Sequence, residues 1–222
     1  MANLFNQFFI TIADEMLGLD QLERSTIRPS LILDKESPMM MSWRLTSNKE
    51  LLKIIESLQP KSSAGLDEIS SKVLKFCKEE LLLPLLHIIN LSLKEGVFPS
   101  RLKIAKTIPI YKQKNSKHEI ANFRPISLIS TISKVIEKVI LNRMFDHLIM
   151  NNLLTEKYHG FVKGRSTITA LTDIFEYIVD SIEVGNTIVG TFLDLRKALD
   201  YLSHDLLLTK LEKVGFQGKT QK

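Results

Sequence analysis

Residues 101–144, RLKIAKTIPIYKQKNSKHEIANFRPISLISTISKVIEKVILNRM, contain the change of hydrophobic period that decides the fold class. Two short segments, 105–111 and 122–128, are rich in β-branched and aromatic residues and enclose a basic polar loop, which is typical of a β-hairpin. Over residues 131–150 the apolar side chains recur at helical spacing, which predicts one long amphipathic helix. We therefore expect an α+β fold in which a hairpin stands among helices.

Helical periodicity continues on both sides of the hairpin. Ser47 and Glu50 have the spacing of a capping box and precede an apolar run that ends at Pro60, which predicts a short helix. In the helix predicted next to it, Pro84 is compatible with the pattern only near the first turn. The start of the chain predicts an amphipathic helix with one apolar face, formed by Leu4, Phe5, Phe8, Phe9 and Ile12. The other predicted helices cover residues 69–76, 80–94 and 167–184, and residues 204–216 predict a helix or its first turns.

Two stretches interrupt this helical pattern. Residues 18–43 have no regular period and contain Pro29 and Pro38, which predicts a connector between an N-terminal helix and the folded body. Residues 187–195, TIVGTFLDL, form an apolar run of strand length, which predicts a buried strand. The expected order is an N-terminal helix, a connector, a helical body with a hairpin, and one further strand.

The chain is basic overall, and its charge is unevenly placed. Lys and Arg total 30 against 25 Asp and Glu, which gives a formal net charge of +5 over 222 residues. Residues 101–117 contain basic side chains and no acidic one. Such a local excess favours a polyanionic partner, and a solvated face is the competing interpretation. The basic residues of this stretch are Arg101, Lys103, Lys106, Lys112, Lys114 and Lys117.

The composition also excludes several classes of protein. Cys77 is the only cysteine, so we expect no disulfide within the chain and no disulfide partner. The N-terminus lacks the basic region and the cleavage site of a signal peptide, and no run approaches the ~20 apolar residues of a membrane span. We therefore expect no membrane partner and an intracellular location, in the cytoplasm or the nucleus.

The predicted hairpin brings two cations toward one place. Arg124 lies in a segment that Pro125 keeps extended, Lys112 lies at the end of the partner strand, and Lys114 follows in the basic loop. An arginine binds phosphate oxygens through two parallel hydrogen bonds, and a lysine binds them as a point charge. The hairpin therefore predicts a phosphate clamp. A surface arginine that pairs with a nearby carboxylate is the competing interpretation.

Two glycine-containing turns carry further basic residues. The turn KSSAGLDEIS (61–70) suits contact with a nucleic-acid backbone, and a plain connection capped by Asp67 is the alternative. The turn HGFVKGRST (159–167) opens a predicted helix, where backbone amides suit a phosphate. The residues that we expect to contact nucleic acid are Lys61, Ser62, Lys163 and Arg165 from these turns, and Lys114 from the basic loop of the hairpin.

Asp194 lies near the end of the apolar run 187–195. A carboxylate that leaves a sheet at a strand end can hold a hard cation such as Mg²⁺. Phosphoryl transfer by two metal ions requires two or more carboxylates, with the ions ~3.5–4 Å apart. Asp194 is therefore only part of such a site, and a helix-cap or turn role is the competing interpretation of a single aspartate.

The order of these segments resembles the fingers and palm blocks of reverse transcriptases from non-LTR retrotransposons. The resemblance covers residues 43–218 and rests mainly on NFRPISL (122–128) and FLDLRKALD (192–200). An intron-encoded maturase polymerase is the nearest other family, but HDLLLTKL and GFVKGRST favour the retrotransposon branch. The domains that the resemblance implies are a linker with an N-terminal helix (1–42), a mostly helical fingers domain with the hairpin (43–185), and the first strand and helix of an incomplete palm (186–222).

The resemblance also implies roles for individual residues. Asp194 would be the first carboxylate to bind Mg²⁺, and the backbone of Leu195 would help to ligate the metal. Lys112 and Arg124 would hold the phosphates of an incoming deoxynucleoside triphosphate, beside an RNA template and a primer strand. Leu199 lies where the family normally has an aromatic ring that excludes a ribose 2′-hydroxyl, so we expect weaker sugar discrimination.

The chain departs from the family pattern at other positions. Glu68 stands where Gly is common, His159 where an aromatic residue is common, and Ser203 where Asp is common. The paired aspartates of the family's later palm hairpin, and its thumb, have no counterpart in these residues. We therefore expect a truncated, N-terminal fragment of an RNA-directed DNA polymerase that does not polymerise alone. A non-catalytic RNA-binding or interaction module derived from a retrotransposon is the alternative function.

Overall fold

The computed structural model describes residues 2–19, 39–112, 116, 118–194 and 204–218, and the predicted α+β class is confirmed. None of the described helices is long and apolar enough to cross a membrane. The helices are α1 (Ala2–Leu19), α2 (Asn48–Ser57), α3 (Ser71–Phe76), α4 (Lys78–Glu95), α5 (Thr131–Met150), α6 (Thr167–Glu183) and α7 (His204–Lys213). The strands are β1 (Lys106–Tyr111) and β2 (Phe123–Leu128), and 3₁₀ turns occupy Ser100–Lys103 and Ile120–Asn122.

Helices α2, α3, α4 and α5 enclose the hydrophobic core. Each turns an apolar stripe inward because leucine, isoleucine and valine recur at helical spacing. Burying one such side chain contributes ~1.5–3 kcal/mol relative to leaving it exposed, so the core holds these helices together. Its buried members are Leu51, Ile54, Ile55, Leu74, Leu82, Leu85, Ile89, Leu93, Val135, Ile136 and Val139.

The start of α2 follows its sequence signal only in part. Ser47 caps the helix, as predicted, because its hydroxyl accepts a hydrogen bond from the Glu50 amide at 3.3 Å. The Glu50 carboxylate does not complete a capping box, since it accepts hydrogen bonds from Arg143 instead. The spacing of Ser47 and Glu50 therefore predicted the start of α2 correctly. The partner that it predicted for the Glu50 carboxylate is wrong.

Helix α4 is longer at its start than the sequence predicts. It begins at Lys78, so Pro84 lies beyond the first turn, and the prediction for this proline is wrong. Because proline has no amide hydrogen, the carbonyl of Glu80 lacks its usual helical donor. At the other end Gly96 adopts a φ of 70°, the left-handed conformation typical of a helix end, as predicted.

Strands β1 and β2 pair in the predicted antiparallel hairpin. The register runs from Lys106 opposite Leu128 to Tyr111 opposite Phe123. The rings of Tyr111 and Phe123 lie on one face with their centroids 5.5 Å apart, and Phe5 of α1 meets Phe123 edge-on at 5.0 Å. A two-stranded sheet is marginally stable by itself in water, so the contact from α1 supports the hairpin.

The residues that follow α7 pack back against α5. Phe216 is 1% exposed, and its ring centroid lies 5.1 Å from that of His147. The amide of Met41 donates to the Gly215 carbonyl at 2.9 Å, and His147 Nε2 donates to the Val214 carbonyl at 2.8 Å. The segment before α2 and the segment after α7 therefore meet beside the last turns of α5.

Residues 187–194 form no strand, so the predicted buried strand is wrong over these residues. Most of their apolar side chains are exposed, at 88% for Val189, 90% for Phe192 and 86% for Leu193, and Ile188 is half-buried. The amides and carbonyls of a strand need a neighbouring strand. The sheet in the described part of the chain consists of β1 and β2 alone, and neither pairs with this segment. The described residues therefore do not form the predicted first palm strand.

Some predictions fall on residues that the structure does not describe. Most of the predicted connector over residues 18–43 is among them. The other residues concerned are Lys114, Lys117, Leu195, Leu199 and Ser203.

Candidate nucleic-acid interface

The two cations of the predicted phosphate clamp lie on one face of the hairpin. Arg124 pairs with Ile110, and the amide of Lys112 donates to the Asn122 carbonyl at 2.8 Å, which extends the ladder by one residue. Because side chains two residues apart share a face, Lys112 and Arg124 are diagonal neighbours, a relation that typically separates residues by ~7–8 Å. A single triphosphate is long enough to contact both the Lys112 and the Arg124 side chain.

The two side chains differ in their present contacts. Lys112 is half-buried, and its Nζ donates to the Ala121 carbonyl at 2.7 Å. Arg124 is exposed, and its guanidinium forms no hydrogen bond or ion pair with any residue in the described ranges. Arg124 therefore has its whole guanidinium available to an anion, whereas one of the three N–H donors of Lys112 is already used by a carbonyl.

Asn122 organises the turn that leads into β2, and the sequence did not single it out. Its buried amide donates to the Ser116 carbonyl at 2.8 Å and to Glu119 Oε2 at 3.0 Å. These bonds fix the 3₁₀ turn directly before Phe123, so Asn122 sets where the strand with Arg124 begins. An asparagine before an extended segment is a common turn signal, and this signal could have predicted the turn at Asn122.

The predicted contact turn 61–70 is fastened to the start of α5. Asp67 accepts hydrogen bonds from the Ile69 amide at 3.2 Å and from the Ser130 hydroxyl, and the Thr131 hydroxyl donates to the Ile69 carbonyl at 2.7 Å. These bonds agree with the alternative interpretation, a connection that Asp67 caps. Lys61 and Ser62 are exposed at the beginning of this turn, and their contact with nucleic acid stays a prediction.

Glu68 adopts a left-handed backbone conformation, with a φ of 58°. Such a conformation costs a residue with a Cβ ~1–2 kcal/mol, while glycine adopts it freely at a larger entropic cost on folding. We expect Glu68→Gly to raise the free energy of unfolding by about 0.5–1 kcal/mol, measured by urea denaturation. Glu68→Ala is the control, because it removes the charge and keeps the Cβ. An equal gain in both variants would assign the effect to charge.

The turn 159–167 uses one of its two cations for its own structure. Arg165 donates to the Tyr158 carbonyl at 3.1 Å, whereas Lys163 is exposed and has no partner among the residues described. Ser166 and Thr169 form a reciprocal capping box at the start of α6, which occupies two of the amides that the predicted phosphate site requires. Lys163 is therefore the cation of this turn that remains open to a ligand.

His159 takes part in the same turn through contacts of its two ring nitrogens, which a phenyl ring cannot make. Its Nδ1 lies 3.0 Å from Thr169 Oγ1, and its Nε2 lies 3.0 Å from Asp173 Oδ2. Both partners belong to α6. The residue therefore joins the turn to the helix, in place of the aromatic residue that the resemblance led us to expect.

Asp194 does not belong to a metal site within the described residues. It is exposed in the segment without regular structure, and no group of three or more His, Cys, Asp or Glu side chains gathers anywhere in the described ranges. Mg²⁺ takes near-octahedral oxygen ligation and usually combines one or two carboxylates with water and substrate phosphates. Asp194 alone does not fit the two-ion arrangement, so no chemical step can be derived through a metal here.

A family model described as reverse transcriptase (RNA-dependent DNA polymerase) matches residues 112–222. The chain is 30% identical over 181 residues to the probable RNA-directed DNA polymerase from transposon BS of Drosophila melanogaster, a match that covers 81% of this chain and 20% of that protein. It is 28% identical over 181 residues to the RNA-directed DNA polymerase from mobile element jockey of the same species, with the same coverage of 81% and 20%. The chain thus spans about a fifth of the length of these curated relatives.

Proposed function

The chain belongs to the reverse transcriptase (RNA-dependent DNA polymerase) family, and we propose that its hairpin binds the RNA template and the phosphates of a deoxynucleoside triphosphate. The sequence resemblance to polymerases of non-LTR retrotransposons is confirmed by the relatives. The observation that carries the proposal is the hairpin register, which puts Lys112 and Arg124 on one face.

The surroundings of this face favour a nucleic-acid ligand over an acidic side chain. Arg124 is flanked on its face by Ile110 and Ile126, which are 50% and 40% exposed, so apolar surface for sugars and bases lies beside the cation. Lys106 is exposed at the far end of the same face. The opposite face carries the aromatic contact with α1, which leaves the cationic face as the open side of the hairpin.

RNA binding by the hairpin is expected to depend steeply on salt. If four phosphates of a single strand are neutralised, log K falls with log salt at a slope of about −3. Arg124→Gln should weaken binding. It should also reduce the steepness of this slope by about 0.7, which is the contribution of one neutralised phosphate on a single strand. Titration of labelled single-stranded RNA at several salt concentrations measures both values. As a control, Lys72→Gln removes an equal charge from the exposed surface of α3 and should leave the slope unchanged. If the RNA-binding constant of the wild-type protein does not change with salt concentration, the proposal is wrong.

We also propose that a polypeptide of these 222 residues does not extend a primer by itself. The attacking and leaving oxygens both gain negative charge in the transition state, and two metal ions normally neutralise them. Asp194 brings one carboxylate to this task, and the described residues gather no others around it. Incubation with a primed RNA template, deoxynucleotides and Mg²⁺ or Mn²⁺ should yield no product. Templated extension that disappears in Asp194→Ala would show that the proposal is wrong.

Binding without extension is also what the alternative function predicts. A non-catalytic RNA-binding module requires the cationic face of the hairpin and no metal. The two functions separate when this chain is tested as part of a longer polypeptide that carries a complete polymerase palm. Extension that then depends on Arg124 favours the polymerase, and RNA binding that never supports extension favours the module.

A further inference from the structure

A continuous row of aromatic rings joins α1 to the hairpin. The ring centroids of Phe8 and Phe9 lie 5.7 Å apart, those of Phe9 and Phe5 lie 5.8 Å apart, and Phe5 then meets Phe123 at 5.0 Å. The row ends at Tyr111, 5.5 Å from Phe123. Aromatic pairs at such separations attract each other beyond the area that they bury. We call these five residues the aromatic row.

The aromatic row lies directly behind the two clamp cations. Tyr111 precedes Lys112 in the chain, and Phe123 precedes Arg124. Because successive side chains of a strand point to opposite faces, the two rings and the two cations occupy opposite faces of the same short stretch of ladder. A ring held in place on one face therefore fixes the backbone from which the neighbouring cation projects.

The hairpin has little other packing to fix its position. The core of the described residues is built from α2, α3, α4 and α5 and contains no residue of β1 or β2. On the cationic face, Ile108, Ile110 and Ile126 are 39%, 50% and 40% exposed. Since an isolated hairpin is marginally stable, the contact of Phe5 with Phe123 has a large influence on how rigidly the clamp is held.

We propose that Phe5 is a positioning residue for the phosphate clamp, acting through Phe123 on Arg124. The inference rests on the proposed function of the hairpin, and it assigns to α1 a part in ligand binding. The side chain of Phe5 faces away from the ligand, so it acts by limiting the motion of β2 and makes no contact with phosphate.

Hydrogen exchange tests the structural step without any ligand. Phe5→Ala keeps α1 helical, because alanine has the highest helix propensity, and it should accelerate exchange of the hairpin amides about tenfold through the loss of two ring contacts. Leu4→Ala is the matched control, since Leu4 is 58% exposed and stands outside the aromatic row. Phe5→Trp, which retains a ring, should restore most of the protection. Unchanged exchange in Phe5→Ala overturns the inference and leaves the proposed function intact.

RNA binding tests the functional step through a double-mutant cycle. Phe5→Ala should weaken binding of single-stranded RNA about fivefold and make the salt slope shallower by at most about 0.7, the share of one phosphate. If Phe5 acts through Arg124, Phe5→Ala combined with Arg124→Gln should lose no more than Arg124→Gln alone. If the double variant loses affinity by the product of the two single-variant factors, the two residues act independently and the inference is wrong. A wild-type protein that binds no RNA overturns the proposed function and the inference together.

Discussion

Replacing Arg143 with methionine is expected to lower the free energy of unfolding by about 3 kcal/mol, the lower end of the usual loss when one partner of a buried ion pair is removed, because the Glu50 carboxylate left behind is 25% exposed. Arg143 lies in α5 with 3% of its side chain exposed. It donates to both carboxylate oxygens of Glu50, at 2.8 and 3.0 Å. Methionine fills much of the same volume and cannot make either bond, so the Glu50 carboxylate loses its compensating charge.

The remaining donors of Arg143 tie α5 to the segment before α2. Nε donates to the Arg44 carbonyl at 2.6 Å, and the terminal nitrogens also donate to Thr46 Oγ1 and to the Val139 carbonyl, both at 3.0 Å. All five N–H groups of the guanidinium therefore have an acceptor. Thr46 is bound in turn to Asn90 of α4 through its amide and carbonyl, at 2.7 and 3.0 Å. One side chain thus connects three segments of the fold.

Urea denaturation of the variants measures the contribution of Arg143. Arg101→Met, at an exposed position, controls for the general exchange of arginine for methionine. Arg143→Met combined with Glu50→Leu should recover part of the loss, because replacing both members of a buried pair by apolar residues is often close to neutral. A loss below about 1 kcal/mol in Arg143→Met, the range of an exposed ion pair, would show that water takes the place of the guanidinium.

The parts of the fold that the sequence predicted are those set by local signals. The bounds of α5 agree with the prediction, and α6 ends one residue earlier, because apolar spacing and end residues lie within the segments themselves. The hairpin was predicted for the same reason, since each strand has its own composition and the loop its own polarity. Its register then places Lys112 and Arg124 on one face without further information.

The parts that the sequence did not predict depend on partners distant along the chain. Arg143 is one basic residue in a long helix, and only the fold reveals that it meets Glu50, 93 residues away. Residues 187–194 have the composition of a strand, but a strand forms only where another strand offers its edge. The same limit applies to Asp194. Its residue type suggests a metal ligand, but a two-ion site also requires other carboxylates close to it in the fold, which its own sequence position does not reveal.

Replacing Gly65 with alanine is expected to lower the free energy of unfolding by about 3 kcal/mol, near the upper range for an added methyl group in a tightly packed place. A Cβ at this position would lie 2.6 Å from the Ser130 amide nitrogen, 2.8 Å from the Ile129 carbonyl carbon and 2.9 Å from the Ser130 Cα. All three are backbone atoms, so no side-chain rotation can relieve the overlap. The turn or the start of α5 must move.

Movement at this place would break the contacts that fasten the turn. Asp67 binds the Ser130 hydroxyl, and Thr131 binds the Ile69 carbonyl at 2.7 Å. Gly160→Ala is the matched control, because a Cβ there would meet the Tyr158 side chain at 3.5 Å, an ordinary contact. Ser130→Ala removes two hydrogen bonds without an overlap, the one to Asp67 and the one from the Ile132 amide that caps α5, and should cost about 2 kcal/mol. If urea denaturation finds that Gly65→Ala costs no more than Gly160→Ala, the turn moves without a measurable cost, and the close approach of the two backbones does not contribute to stability.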